Sequence, residues 1–155
     1  MTFTLHLAEL RNAPSTEQLS HFYSYYRVRE PPGHRALLDQ ASGSRLETVG
    51  LPSSRGPRLV LNVIGLPEDR NAAERDVAAM VSILDERLAT DPSNDSVRYL
   101  PVLMLFGGDL VRVDLDSADG ELVIWYHEES APFSPSVERV LLKLDELVVD
   151  ASHFL

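Results

Sequence analysis

At 155 residues, 44% of them hydrophobic, the chain is long enough to bury one substantial core and short for two, so a single domain is expected. Its formal net charge of -10 lacks the clustered cations that phosphate binding requires, which removes nucleic acid as an expected partner. The absence of cysteine excludes disulfides, thiolate metal ligands and a cysteine nucleophile, and suits a reducing cytoplasm.

The opening residues are apolar but interrupted by His6 and Glu9, so neither a signal peptide nor a membrane span is expected. Phe3, Leu5 and Leu7 alternate with Thr2, Thr4 and His6, which predicts an edge strand within residues 2–10. After Pro14, Ser15 and Gln18 have the spacing of a capping box, and Leu19, Phe22, Tyr23 and Tyr26 share one face of the helix that follows. With no basic surround, these rings read as packing against a sheet rather than as a platform for nucleobases. Pro31-Pro32 stops that helix and suits the first turn of a second, with Leu37, Leu38 and Ala41 apolar and Gly43 as its stop.

Residues 45–50 and 58–65 read as two strands separated by a loop rich in proline, serine and glycine. Residues 71–89 carry Ala73, Val77, Met80, Leu84 and Leu88 at helical spacing, from Asn71 to the Asp91-Pro92 stop. Residues 100–128 then hold three strand-like runs and two tight turns. Val102 to Phe106 is unbroken apolar sequence, the mark of a strand buried on both faces, and Val111, Val113 and Leu115 alternate with a mixed set, Leu110, Arg112 and Asp114. Beyond Gly120, Val123, Trp125 and His127 face one way and Leu122, Ile124 and Tyr126 the other. The prediction is an antiparallel meander. Gly107 and Gly108 suit positive φ in its first turn, Asp109 can bond its own backbone there, and Trp125 reads as a core anchor.

From Val137, the residues Val140, Leu141, Leu144, Leu147, Val148, Ala151 and Phe154 keep a helical period, which predicts one C-terminal helix of about five turns by rise per residue. The alternative is a short strand over residues 139–143 followed by a helix capped by Asp145. In both readings the chain after Asp145 is helical.

Catalytic signatures are lacking: no nucleophile elbow, P-loop, dinucleotide fingerprint, zincin motif or EF-hand loop occurs. His127, Glu128 and Glu129, with Asp109, Asp114, Asp116 and Asp119, are the residues to weigh for a metal or acid-base site. Neighbours on a strand point in opposite directions, and convergence is not implied. No cofactor or metal is expected, and the chain reads as a non-enzyme.

Charge is placed unevenly. Residues 1–108 hold 13 acids and 11 bases, residues 109–150 hold 11 acids and 3 bases, so most of the negative charge lies in the last third. That arrangement suits attraction to a basic protein, and it also serves plain solubility, which composition alone favours.

Pro101, Phe106-Gly107-Gly108-Asp109, the strand Val111 to Leu115, Gly120, and Val123-Ile124-Trp125-Tyr126-His127 together resemble the SUKH superfamily, which takes in Smi/Knr-type regulators and many bacterial immunity proteins. The opening helix, Pro31-Pro32, Arg35, Leu38 and Gly43 are similar to that family too, although Ser42 stands where it commonly has asparagine and the helix of residues 71–89 is extra. Thirteen arginines against the single Lys143 fit a GC-rich bacterial source. The resemblance implies an α+β domain with a curved, largely antiparallel sheet and helices packed around it. It also implies a non-catalytic cytoplasmic immunity protein that neutralises a cognate toxin such as a basic nuclease. Asp109, Asp114, Asp116, Asp119, Glu121, Glu128 and Glu129 are then the expected contact residues. Pro101, Phe106, Gly107, Gly108, Gly120, Trp125 and His127 are the expected structural ones. A Smi/Knr-type intracellular regulator is the alternative, and a small metal-binding enzyme a weaker one.

Overall fold

The structure, a computed structural model, describes residues 2–9, 11, 13–66, 99–126 and 136–154. The expected helix of residues 71–89 lies outside these.

Two helices precede the sheet. In α1 (Thr16–Tyr25) the capping box is complete: Ser15 Oγ accepts the Gln18 N–H at 3.1 Å and Gln18 Oε1 accepts the Ser15 N–H at 2.8 Å. The helix buries Leu19 and Phe22. In α2 (His34–Ala41) the prolines stand before the helix rather than in its first turn, because Gly33 takes the N-cap with φ 88°. A Cβ at Gly33 would meet the Asp145 backbone at 2.8 Å, so the glycine also permits a close approach to the far end of the chain. Gly43, at φ 68°, ends this helix as expected.

Six strands follow in sequential antiparallel order: β2 (Arg45–Leu51), β3 (Arg58–Val63), β4 (Tyr99–Leu105), β5 (Leu110–Asp114), β6 (Glu121–Tyr126) and β7 (Ser136–Lys143). The predicted meander is β4 to β6. Pro101 has no N–H for a ladder, and it sits where the β4–β5 register shifts, between Pro101 and Leu103. All five residues of β5 are buried, Arg112 and Asp114 included, so the face predicted as mixed is internal as well. Arg112 is 1% exposed, and its guanidinium lies 4.4 Å from the centre of the Trp125 ring. Trp125 is therefore a partly buried platform for a cation beside the core rather than its anchor.

The ends of the chain depart from expectation. β1 (Phe3–His6) is no free edge: it pairs in parallel with β8 (Leu147–Asp150), and Leu7 bridges Leu46 of β2 on its other side. In place of a C-terminal helix the chain runs through β7, which contains the alternative strand of residues 139–143, and then, where both readings expected helix, through a 3-10 turn at Leu144–Glu146, β8 and a second 3-10 turn at Ser152–Phe154. Arg139 faces Val123 and Lys143 faces Glu121, so four residues of β7 advance against two of β6. Burial still alternates along β7 and into the turn, with Val140, Leu142 and Leu144 inward, but outward positions are apolar too, Leu141 at 90% and Val148 at 44% exposed, and together the apolar residues fall on a helical period.

The sheet is rolled. Six flat strands would set the margins roughly 24 Å apart at a spacing of about 4.8 Å. Yet Ser54, in the loop after β2, donates its N–H and hydroxyl to the Glu138 carboxylate on β7 at 2.8 and 2.7 Å. The core fills the interior of this roll, from Leu5 and Leu7 through Val60, Leu103, Val111, Leu122 and Ile124 to Leu144.

Candidate partner-binding surface

The β5–β6 turn is held from two sides. Asp114 Oδ1 accepts the Asp116 N–H at 3.0 Å, and Gly120, at φ 71°, offers its carbonyl to the Leu144 N–H at 2.8 Å. The second bond carries the 3-10 turn of Leu144–Glu146 to the side of the hairpin. Asp116, Asp119, Glu121, Asp145 and Glu146 are thereby gathered at one end of the sheet, each exposed or partly so. Two cationic side chains of the described residues stand among them. Arg139 Nη1 bonds Glu121 at 2.6 Å and Lys143 Nζ lies 3.7 Å from Asp119, leaving the carboxylates in excess. Exposed pairs of this kind contribute little to stability.

Two expected contact residues face inward. Asp109 is 6% exposed and takes the Arg58 guanidinium, which also lies over the Tyr126 ring; Asp114 is 2% exposed and receives Arg139 Nη2 at 3.4 Å. Both carboxylates serve the fold, since a buried charge must be paired. His127, Glu128 and Glu129 lie outside the described residues. Gly107 and Gly108 adopt φ 90° and 96°, the left-handed region expected of them, and they leave Phe106 at the tip of the turn, 67% exposed.

Asp145 and Glu146 were not legible as members of this surface. Both belong to the acidic third of the sequence, but it takes long-range contacts, Gly120 with Leu144 and Lys143 with Asp119 and Glu121, to place them beside Asp119 and Glu121. Among the described residues no group of three or more His, Asp or Glu side chains is arranged to hold a metal ion. Among the same residues no helix is long and apolar enough to cross a membrane. Compared with known proteins, the chain matches no family model, no curated protein and no solved structure. The SUKH resemblance is carried by the sequence motifs alone.

Proposed function

We propose that this chain is a non-catalytic binding domain for a basic protein, and that it acts in the cytoplasm as an immunity protein that neutralises a cognate toxin such as a nuclease. The observation that carries this reading is the convergence of Asp116, Asp119, Glu121, Asp145 and Glu146 at one end of the rolled sheet. A nuclease presents cations for phosphate, and a carboxylate surface competes for them while accelerating encounter at low salt. The SUKH-like motifs and the absence of catalytic signatures support the same reading.

The test is affinity capture on the immobilised chain from lysate of the source organism at low and high salt, followed by co-expression of the captured protein. One basic, growth-arresting protein is expected, retained at low salt and lost with the triple variant Asp116→Lys, Asp119→Lys, Glu121→Lys. Co-expression should restore growth. Reproducible capture of a housekeeping protein alone would replace this reading with that of an intracellular regulator.

A further inference from the structure

The acidic end of the sheet rests on the residues just before α2. A Cβ at Gly120 would stand 3.6 Å from the Pro32 carbonyl oxygen and 3.7 Å from Leu144 Cβ, and one at Gly33 would stand 2.8 Å from Asp145 Cα. The turn that carries Asp116, Asp119 and Glu121 and the turn that carries Asp145 and Glu146 therefore share one support, Pro32-Gly33. The next residue holds that support in place. His34 is fully buried against α1, its Nδ1 2.6 Å from the Tyr23 hydroxyl and its ring centre 6.4 Å from that of Phe22. Among the described residues its Nε2 has no partner.

This seat suits only a neutral ring. A neutral imidazole accepts the Tyr23 hydroxyl at Nδ1, whereas an imidazolium must place two donors and finds an acceptor for one. The surrounding charges do not compensate. On its own helix Arg35 repels a charged ring and Asp39 points to solvent. Glu30 is bonded to Arg35 at 2.9 Å, and Asp145 and Glu146 are exposed or partly so. Asp150, the one charge on the β8 strand that packs against α2, is held by His6 at 2.9 Å.

We infer that His34 makes the acidic surface acid-sensitive: the ring takes up a proton only when the start of α2 leaves α1, and that movement withdraws Pro32-Gly33 from both acid-bearing turns. This concerns the regulation of the proposed binding surface and rests on that reading. A histidine brought into water titrates near 6.5 and carboxylates near 4, so the array loosens before its own charge is neutralised. A basic partner is held at neutral pH and loosened in mild acid.

The test is amide hydrogen exchange on the full chain between pH 7.5 and 5, corrected for the intrinsic effect of pH. Opening that brings His34 into water should be about thirtyfold more frequent at pH 5. The gain is expected in α2 and, in equal measure, at the Gly120 and Leu144 amides, whose hydrogen bonds hold the two turns. It should vanish in His34→Gln and in His34→Phe, the second of which keeps a ring in the seat. A wild-type chain without the gain overturns the inference, and so does a gain that persists in either variant. A gain confined to α2, with Gly120 and Leu144 unmoved, removes the coupling to the acidic surface. An equal gain throughout β4 to β6 also overturns it, because the whole chain is then unfolding. The two readings fail separately. A captured toxin held equally at pH 7.5 and 5.5 removes the device and leaves the immunity role, whereas the exchange pattern without any captured toxin does the reverse.

Discussion

Glu138 holds Ser54 with both carboxylate oxygens, joining the loop after the second strand to the seventh across the mouth of the rolled sheet. Tyr126 adds its hydroxyl to the same carboxylate at 2.8 Å, and Arg55 lies 3.9 Å over the Tyr126 ring. Partial burial raises the Glu138 carboxyl, but the donated hydrogen bonds from Ser54 and Tyr126 outweigh it and hold the group below the usual carboxylate range.

Glu138→Gln is expected to destabilise the protein by about 1–2 kcal/mol, since hydrogen bonds to a charged acceptor exceed neutral ones and this one is partly solvated. Urea unfolding of Glu138→Gln, Ser54→Ala and the double variant would show it, the double falling short of the sum of the singles. The sign with pH follows from the lowered value. The contribution is complete above the ordinary carboxylate range and disappears as pH falls through the folded-state value.

His34 gives an acid sensitivity of its own. It is fully buried, its Nδ1 lies 2.6 Å from the Tyr23 hydroxyl, and burial first, then Arg35, pushes its titration down to about 3. The unfolded chain takes up a proton near 6.5, where the folded protein does not. Stability from this residue is therefore full above about 6.5 and falls by up to about 1.4 kcal/mol for each unit below it, levelling near 3. Urea midpoints of wild type and His34→Gln between pH 7.5 and 5 should converge as the pH falls.

Two glycines of similar φ separate backbone strain from crowding. Gly107→Ala meets nothing within 4 Å and should cost about 1–2 kcal/mol, the expense of the left-handed conformation alone. Gly33→Ala carries the same strain and also drives a methyl into the Asp145 backbone, so it should cost clearly more. Equal losses in chemical denaturation would mean that the contact between Gly33 and Asp145 is looser than described.

Asp109→Asn and Asp114→Asn should reduce stability while leaving a captured partner's affinity within about twofold, because both carboxylates are themselves buried, Asp109 against Arg58 and Asp114 against Arg139. Arg58→Met should destabilise by about 3 kcal/mol, since it removes the guanidinium that the buried Asp109 carboxylate receives. Calorimetry of the variants, with and without partner, reads both effects.

What could be read in advance was whatever local chemistry decides. The Ser15–Gln18 cap, the glycines of the β4–β5 turn and the apolar runs of β4 to β6 each act over a few residues, and each lies where its pattern placed it. The C-terminal helix was misread because the exposed Leu141 and Val148 complete a helical period, whereas the alternative strand over residues 139–143 falls within β7. The acidic end of the sheet was half legible. Asp116, Asp119 and Glu121 follow from their turn, whereas the inward turning of Asp109 and Asp114 depends on arginines 51 and 25 residues away.

The parallel pairing of Phe3 with Leu147 sets a limit on how this molecule comes into being. A contact between partners so far apart in sequence closes the longest loop in the chain, and loop closure of that kind comes late in folding. On the ribosome, β1 must wait unpaired on its β8 side until residues 147–150 have been synthesised. A nascent chain that stalls before β8 leaves its first strand without its parallel neighbour.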